Sequence, residues 1–102
     1  MAFNGTEGGQ ISLEQGSDLT SEWRRINPEA RQGAFMGKDI LMELLNQEGC
    51  EGIRVYYGLD EDGQMEPVFS GADADENDLT ELIADTSIPC KPFCGTKNPL
   101  NS

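Results

Sequence analysis

Two spacings of hydrophobic residues divide the chain, and the first is helical. Ser12 and Gln15 have the spacing of a capping box, in which each side chain binds a free backbone N–H at the start of a helix. Asn27-Pro28 ends the pattern because the residue before a proline favours extended conformations. The pattern predicts a first helix over 13–26, with an apolar face made of Leu13, Leu19, Trp23 and Ile26.

A second helical segment follows at 38–47. Its polar residues, such as Asp39 and Glu43, lie opposite a single apolar stripe. Gly49 supplies the left-handed residue with which helices commonly end. We expect this helix to bury the stripe formed by Ile40, Leu41, Leu44 and Leu45.

The hydrophobic period then changes to two residues, which is the pattern of a half-buried strand. The segment 60–63 has turn-forming residues, and Gly63 suits the left-handed position of a type I turn with a bulge. A second strand covers 64–71, where Pro67 indicates a sheet edge or a bulge. The sequence therefore predicts a hairpin over 53–71, whose first strand alternates at Ile53, Val55, Tyr57 and Leu59.

The remaining segments are less regular. The spacing of Leu79, Leu82 and Ile83 suggests a short helix. A hairpin is marginal alone, so a third strand from either end of the chain, or a second subunit, is expected to extend it. We predict an α+β fold with two helices packed on a small antiparallel sheet. Its parts are a glycine-rich arm at 1–10, a single domain at 11–88 and an irregular tail with prolines and cysteines at 89–102.

Composition narrows the range of partners. The chain has 19 acidic and 7 basic residues, no histidine and a formal net charge of −12. Clustered Lys and Arg are needed to bind phosphates, so nucleic acid and anionic membranes are disfavoured. No stretch approaches the roughly 18 apolar residues of a membrane span. The opening residues lack the basic and apolar regions of a signal peptide, which predicts a cytoplasmic location and leaves signal-independent export open.

Several short runs resemble a family of small acidic bacterial proteins, mostly from the Bacteroidota. They are Gly49–Asp60 (GCEGIRVYYGLD), Phe35–Lys38 (FMGK), Gly71–Ala74 (GADA) and Pro89–Gly95 (PCKPFCG). Together they lie within residues 11–95. The resemblance implies a shared fold; no activity is established for the family, so it implies no catalytic or binding residue.

Three cysteines, Cys50, Cys90 and Cys94, allow three interpretations. Free thiols are favoured because a reducing compartment is the default without a leader. A disulfide would join the tail to Cys50 or close a small loop between Cys90 and Cys94, and the odd count leaves one thiol over. Zinc would need a carboxylate as fourth ligand and a site spanning forty residues of sequence, which is the least favoured interpretation.

The acidic segment from 60 to 85 has a weak calcium signature. Asp73, Asp75 and Asn77 match the first ligand positions of a calcium loop. The match then fails, because the sixth position needs glycine and holds Asp78, and the twelfth needs glutamate and holds Ala84. An ordinary EF-hand is excluded, and a looser, weak calcium site stays open beside a simply solvated loop.

Catalysis is not expected from this composition. Without histidine the chain lacks the commonest general base and every Ser-His or Cys-His pair. No glycine loop has the residues that bind phosphate. We therefore predict that the protein is not an enzyme and has no cofactor apart from the weak calcium site.

Two groups of residues are candidates for contact with a protein partner. Arg54, Tyr56 and Val68 lie on the strand face opposite Ile53, Val55 and Tyr57, and would form an exposed patch if the helices cover the apolar face. Arg24 and Arg25 adjoin Trp23, although a core role for the single tryptophan is favoured because the core is thin.

The function these observations favour is non-catalytic. Basic residues concentrate toward the helices and acidic residues from the hairpin onward, so that head-to-tail contacts between copies are feasible. We predict a small protein that acts by protein–protein interaction and self-assembles into an oligomer or a filament. The alternatives are a calcium-dependent binding module and an acidic mimic of nucleic acid.

Overall fold

A computed structural model describes residues 2–102 and has two helices and five strands. This composition confirms the predicted α+β class. In chain order the elements are α1 (Leu13–Ile26), β1 (Gly33–Phe35), α2 (Lys38–Leu45), β2 (Cys50–Leu59), β3 (Met65–Asp73), β4 (Asp78–Ala84) and β5 (Ile88–Cys90).

The chain divides into two compact units. The sheet unit comprises the residues up to Gly8 and Met36–Ser87, and the tail unit comprises Gly9–Phe35 and Ile88–Ser102. Only α2 shares a unit with the hairpin, whereas two helices were expected to pack on it. The predicted division into an arm at 1–10, a single domain at 11–88 and a tail at 89–102 stays a prediction.

In the sheet unit, three antiparallel strands are ordered β2-β3-β4. The predicted hairpin is therefore confirmed, and its third strand is β4 rather than either end of the chain. The short helix predicted around Leu79, Leu82 and Ile83 is wrong, because this segment pairs with β3. A sharp turn at 73–77 returns the chain alongside β3, and ladder hydrogen bonds then outweigh a weak helical spacing.

The two hairpin turns of the sheet unit have the same hydrogen bonds. Asp60 Oδ1 accepts from the backbone N–H groups two and four residues later, and Asp73 Oδ1 does the same, all at 2.9 Å. The left-handed position is occupied by Gly63 (φ 77°) in the first turn and by Glu76 (φ 69°) in the second. The first turn therefore confirms the conformation predicted for Gly63, and the second repeats it with a residue that does not favour it.

These turns determine which backbone groups face which neighbour. Asp60 N donates to Gln64 O at 2.8 Å, and hydrogen-bonded pairs recur at every second residue of an antiparallel ladder. The even-numbered residues of β2 therefore bond to β3. The odd-numbered residues turn their N–H and C=O groups to the opposite side, which we call the free edge of β2: Ile53, Val55, Tyr57 and Leu59.

The backbone groups of β3, the central strand, alternate between its two neighbours in the same way, and Pro67 fits this alternation. Asp73 N donates to Asn77 O at 3.0 Å, so the odd-numbered residues of β3 face β4. The pairing with β4 extends only over Phe69–Ala72. The ring nitrogen of Pro67, which has no hydrogen, therefore faces a side that β4 does not reach, as its predicted edge position requires.

Helix α2 covers one end of the sheet. Leu44 is fully buried, and the small core also holds Ala72, Ala84 and the hydroxyl of Ser70. A Cβ atom on Gly71 would come within 3.2 Å of the Leu44 carbonyl oxygen, so glycine permits this close approach. The helix ends at Leu45, two residues before the predicted end.

In the tail unit, α1 has the predicted bounds and the predicted capping box between Ser12 and Gln15. Strands β1 and β5 form a two-stranded antiparallel ladder. The tail therefore contributes one short strand and is otherwise irregular. None of the residues of α1 is buried.

Candidate functional site

Three side chains from β2 and β3 bond to one carboxylate, that of Asp78 on β4. Arg54 on β2 forms an ion pair with Asp78 on β4, with Nη1 and Oδ1 2.6 Å apart. The Tyr56 hydroxyl donates to Oδ2 of the same carboxylate, and Ser70 Oγ donates to Oδ1 at 3.3 Å. We call these residues the Asp78 cluster; it connects the two outer strands across β3.

The electrostatics of the cluster follow from these contacts. The hydrogen bond from Tyr56, followed by that from Arg54, lowers the pKa of the Asp78 carboxyl below its usual value. The hydrogen bond to Asp78 in turn raises the pKa of the Arg54 guanidinium. Each charged form is thus stabilised by its neighbour, and the cluster contributes to folding at neutral pH.

The N-terminal arm is held against this cluster. Phe3 N donates to the carbonyl of Ala74 at 3.0 Å, and the Phe3 ring centre lies 5.4 Å from the Arg54 guanidinium carbon. Glu7 accepts hydrogen bonds from the backbone of Asn4 and Gly5 at 2.9 and 3.0 Å, and the Asn4 bond is the main cause of its lowered pKa. Residues 2–8 thus contact the sheet unit without forming a strand.

A cleft of about 450 Å³ lies between the arm and the start of β2. It is partly apolar and also exposes carboxylates from both sides. Its lining residues are Phe3, Gly5, Glu7, Leu45, Glu51, Gly52, Ile53, Arg54 and Ala72.

The predicted patch of Arg54, Tyr56 and Val68 lies on one face of the sheet, because the register pairs Tyr56 with Val68. Its polar groups are already engaged: Arg54 bonds to Asp78 and to the carbonyl of Glu76, at 3.2 Å, and Tyr56 bonds to Asp78. Val68 is half-buried. The patch therefore holds the sheet together, and its role toward a partner stays a prediction.

The most exposed part of β2 belongs to the other face. The exposed fractions are 43% for Val55, 81% for Tyr57 and 76% for Leu59. The backbone of the same residues forms the free edge of β2. The strand order leaves this edge without a neighbouring strand among the described residues. Sequence reasoning missed this surface because it assigned these residues to the core, although the uncharged alternation that predicted the strand also marks an unprotected edge.

The acidic loop is used as a turn. Asp73 accepts from the N–H groups of Asp75 and Asn77, at 2.9 Å each, so one oxygen of its carboxylate is directed at the backbone. Within residues 2–102 no three Asp, Glu or Cys side chains are grouped closely enough to hold a metal ion. The three residues proposed for calcium are thus adjacent, in a loop that is closed by its own hydrogen bonds.

The favoured interpretation, that all three cysteines are free thiols, is wrong. Cys90 and Cys94 form a disulfide, which is one of the two pairings considered. Cys50 is a half-buried thiol whose Sγ lies 3.2 Å from the Gly52 carbonyl oxygen. Since two of the three thiols are paired with each other, a three-cysteine zinc site is not formed.

The residues singled out on α1 have local partners. Arg24 donates to the main-chain oxygens of Leu100 and Ser102, and Arg25 pairs with Glu22 at 2.8 Å. Trp23 is 40% exposed and donates its indole N–H to the Arg31 carbonyl, so the core role favoured for it is wrong. Its exposure follows from the position of α1 in the tail unit, where the helix buries no residue.

Neither helix of the described chain is long and apolar enough to cross a membrane. Comparison of the chain with protein-family models, with curated proteins and with solved structures found no match. The resemblance to the bacterial family stays a prediction.

Proposed function

We propose that this protein acts by protein–protein interaction, without catalysis, and that the free edge of β2 is its contact surface. A single observation carries the proposal: Val55, Tyr57 and Leu59 are exposed on the strand whose outward N–H and C=O groups have no strand beside them within residues 2–102. Such an edge can accept an extended segment, which then gains main-chain hydrogen bonds and side-chain contacts.

Charge supports this choice within the sheet unit. The unit has 15 acidic and 2 basic residues, a net charge of −13, while the tail unit has 4 acidic and 5 basic residues, a net charge of +1; together they give the −12 of the chain. Strand β2 carries one Glu and one Arg and is itself neutral. The side chains of this strand therefore add no net charge to the contact surface.

The proposal is tested by site-specific photo-cross-linking in the cells that naturally produce the protein. A photoreactive phenylalanine analogue replaces Tyr57 in one variant and Ile83 in a control, because Ile83 is an exposed apolar residue of β4. We expect a defined adduct, identified by mass spectrometry, at position 57 and not at position 83. No adduct at position 57, or equal adducts at both, would contradict the proposal.

A second candidate, an acidic surface for a basic partner, is favoured by the concentration of charge in the sheet unit. Binding of this kind weakens steeply as salt is added, whereas contacts through a strand edge change little. Titration with a lysine-rich peptide at low and high salt, on the protein and on Tyr57→Ser, separates them. Binding that is lost with salt and unchanged by Tyr57→Ser would favour the acidic surface.

The calcium alternative has no such support, because Asp73 is committed to its turn. A cytoplasmic location also stays a prediction. The Cys90–Cys94 disulfide weighs against it, since thiols in that compartment are kept reduced.

A further inference from the structure

We infer that the partner of the free edge is a second copy of this chain, whose β2 strand pairs antiparallel with the first about a two-fold axis. This inference rests on the proposed function and names the partner of the same surface. The result would be one continuous six-stranded antiparallel sheet with the order β4-β3-β2-β2-β3-β4. Three features of the strand lead to this arrangement.

The first feature is the phase of the hydrogen bonds. The outward groups belong to the odd-numbered residues from Ile53 to Leu59, as the bond from Asp60 N to Gln64 O requires. Only one two-fold register pairs all of these four residues with one another. It places Ile53 opposite Leu59 and Val55 opposite Tyr57, so that every outward N–H and C=O between them has a partner.

The second feature is the match of side chains in that register. Val55 meets Tyr57, and Ile53 meets Leu59, twice each by symmetry; apolar and aromatic pairs of this kind stabilise antiparallel strands. Leu59 of the second copy would lie opposite Ile53, which lines the cleft under the arm. The exposed residues Val55, Tyr57 and Leu59 of the edge, together with half-buried Ile53, are thus covered by their counterparts.

The third feature is charge. In this register Arg54 lies opposite Gly58 and diagonal to Asp60 of the second copy, so the cation of the strand approaches an acidic turn, while Glu51 at the start of the strand comes level with Glu61 of that turn. A second copy therefore complements β2 in hydrogen bonding and in hydrophobicity, and it brings Arg54 near an acidic turn. The opposite edge offers no such match, because the ladder of β4 is interrupted between Leu79 and Ile83.

The oligomeric state is the first test. Light scattering over a wide concentration range is expected to give a species of twice the 11.1 kDa chain mass. Tyr57→Lys places a charge on the free edge and should weaken the dimer roughly tenfold or more, whereas the matched control Ile83→Lys should leave it unchanged. A wild-type monomer at all concentrations, or a dimer that Tyr57→Lys does not weaken, would overturn the inference.

Cysteine cross-linking tests the register, in a Cys50→Ser background. Tyr56 would face Tyr56 of the second copy in a non-hydrogen-bonded pair, with Cα atoms about 4.5 Å apart, a distance at which disulfides form. Tyr56→Cys should therefore oxidise to a covalent dimer. Leu59→Cys should not, because its counterpart lies about six residues away along the strand, roughly 20 Å.

Tyr56 also bonds to Asp78, so a second pair of variants guards against loss of folding. A mixture of Val55→Cys and Tyr57→Cys alters only exposed positions and should give a mixed cross-linked dimer. A dimeric protein in which neither experiment gives a cross-link would overturn the register. A photo-adduct at position 57 to a different protein would overturn the second copy as partner while the proposed function stands; no adduct would remove both.

Discussion

The two outer strands of the sheet differ in how their free edges are protected. Strand β4 pairs with β3 through Leu79 and again through Ile83, but the three residues between them have no partner in the ladder, and Glu81 lies within this interruption. Strand β2 is regular from Gly52 to Leu59, and its outward positions carry no charge. Bulges and charges are the devices with which proteins prevent edge-to-edge pairing.

The difference indicates where contacts with other chains are expected. Both edges belong to one sheet in a unit with a net charge of −13, so overall charge does not distinguish them. Local regularity and local charge do. A sheet with an unprotected edge at β2 and a protected edge at β4 is better explained by a partner for β2 than by chance exposure. The predictions below test the residues that stabilise β2 and β4.

The largest effect is expected from Leu44→Ala, which removes the fully buried side chain under the sheet. We expect the free energy of unfolding to fall by about 2–5 kcal/mol, because deleting a buried leucine loses its transfer free energy and leaves a cavity. The two outer strands, β2 and β4, should unfold together. Urea denaturation monitored by circular dichroism measures this, with Met42→Ala as the exposed control on the same helix; a loss below about 1 kcal/mol would contradict the role of Leu44.

The turns that hold the two edges should respond in opposite directions. Gly63→Ala puts a Cβ in the left-handed conformation and should destabilise the β2–β3 hairpin by about 1–2 kcal/mol. Glu76→Gly relieves the same conformation in the β3–β4 hairpin, and should stabilise it by about 0.5–1 kcal/mol after the entropy cost of glycine. Thermal unfolding of both variants measures the two changes in stability. Stability changes of the same sign would contradict the equivalence of the turns.

Asp78→Asn breaks the connection that the Asp78 cluster makes between the two edges. The pKa of Asp78 is lowered in the folded chain, so its contribution is complete above the pKa it has when unfolded and is lost as pH falls through the folded value. We expect the variant to be less stable than the parent at pH 7, with a smaller difference near pH 3. Urea denaturation at both pH values tests this, and Asp62→Asn in the other turn is the control.

The smallest effect concerns salt. Two sheet units that meet through β2 carry net charges of the same sign, so raising NaCl from about 0.1 to about 1 M should screen their repulsion and strengthen the dimer modestly. Analytical ultracentrifugation at both concentrations measures the change. Dissociation on adding salt would instead indicate contacts between oppositely charged surfaces, as in the head-to-tail assembly predicted from the sequence.

Sequence patterns predicted the elements that depend on local chemistry. The capping box of Ser12 and Gln15 begins α1, and Gly63 closes the first turn, each as expected. The strand at 78–84 was missed, although the spacing of Asp73, Asp75 and Asn77 repeats that of Asp60, Asp62 and Gln64. Recognising the second turn from the first would have placed β4.

The site was harder to predict because its members are distant in sequence. The strand period placed Arg54 and Tyr56 on one face, but only the return of β4 brings Asp78 to them. The prediction therefore expected an exposed patch where the structure has a satisfied cluster. Conversely, Val55, Tyr57 and Leu59 were assigned to the core, since the period of a strand gives the face of a residue and not the extent of the helix that covers it.

The sequence by itself determined the two helices, the first hairpin, the acidic charge and the absence of a histidine-based site. These follow from periodicity, capping and composition, which act over a few residues. Tertiary structure decided that β4 completes the sheet, that the ends of the chain fall into different units, and that eight-residue α2 covers only one end of β2. The pairing of strands and the covering of a strand by a helix depend on contacts between segments distant in sequence. Local sequence patterns do not specify those contacts.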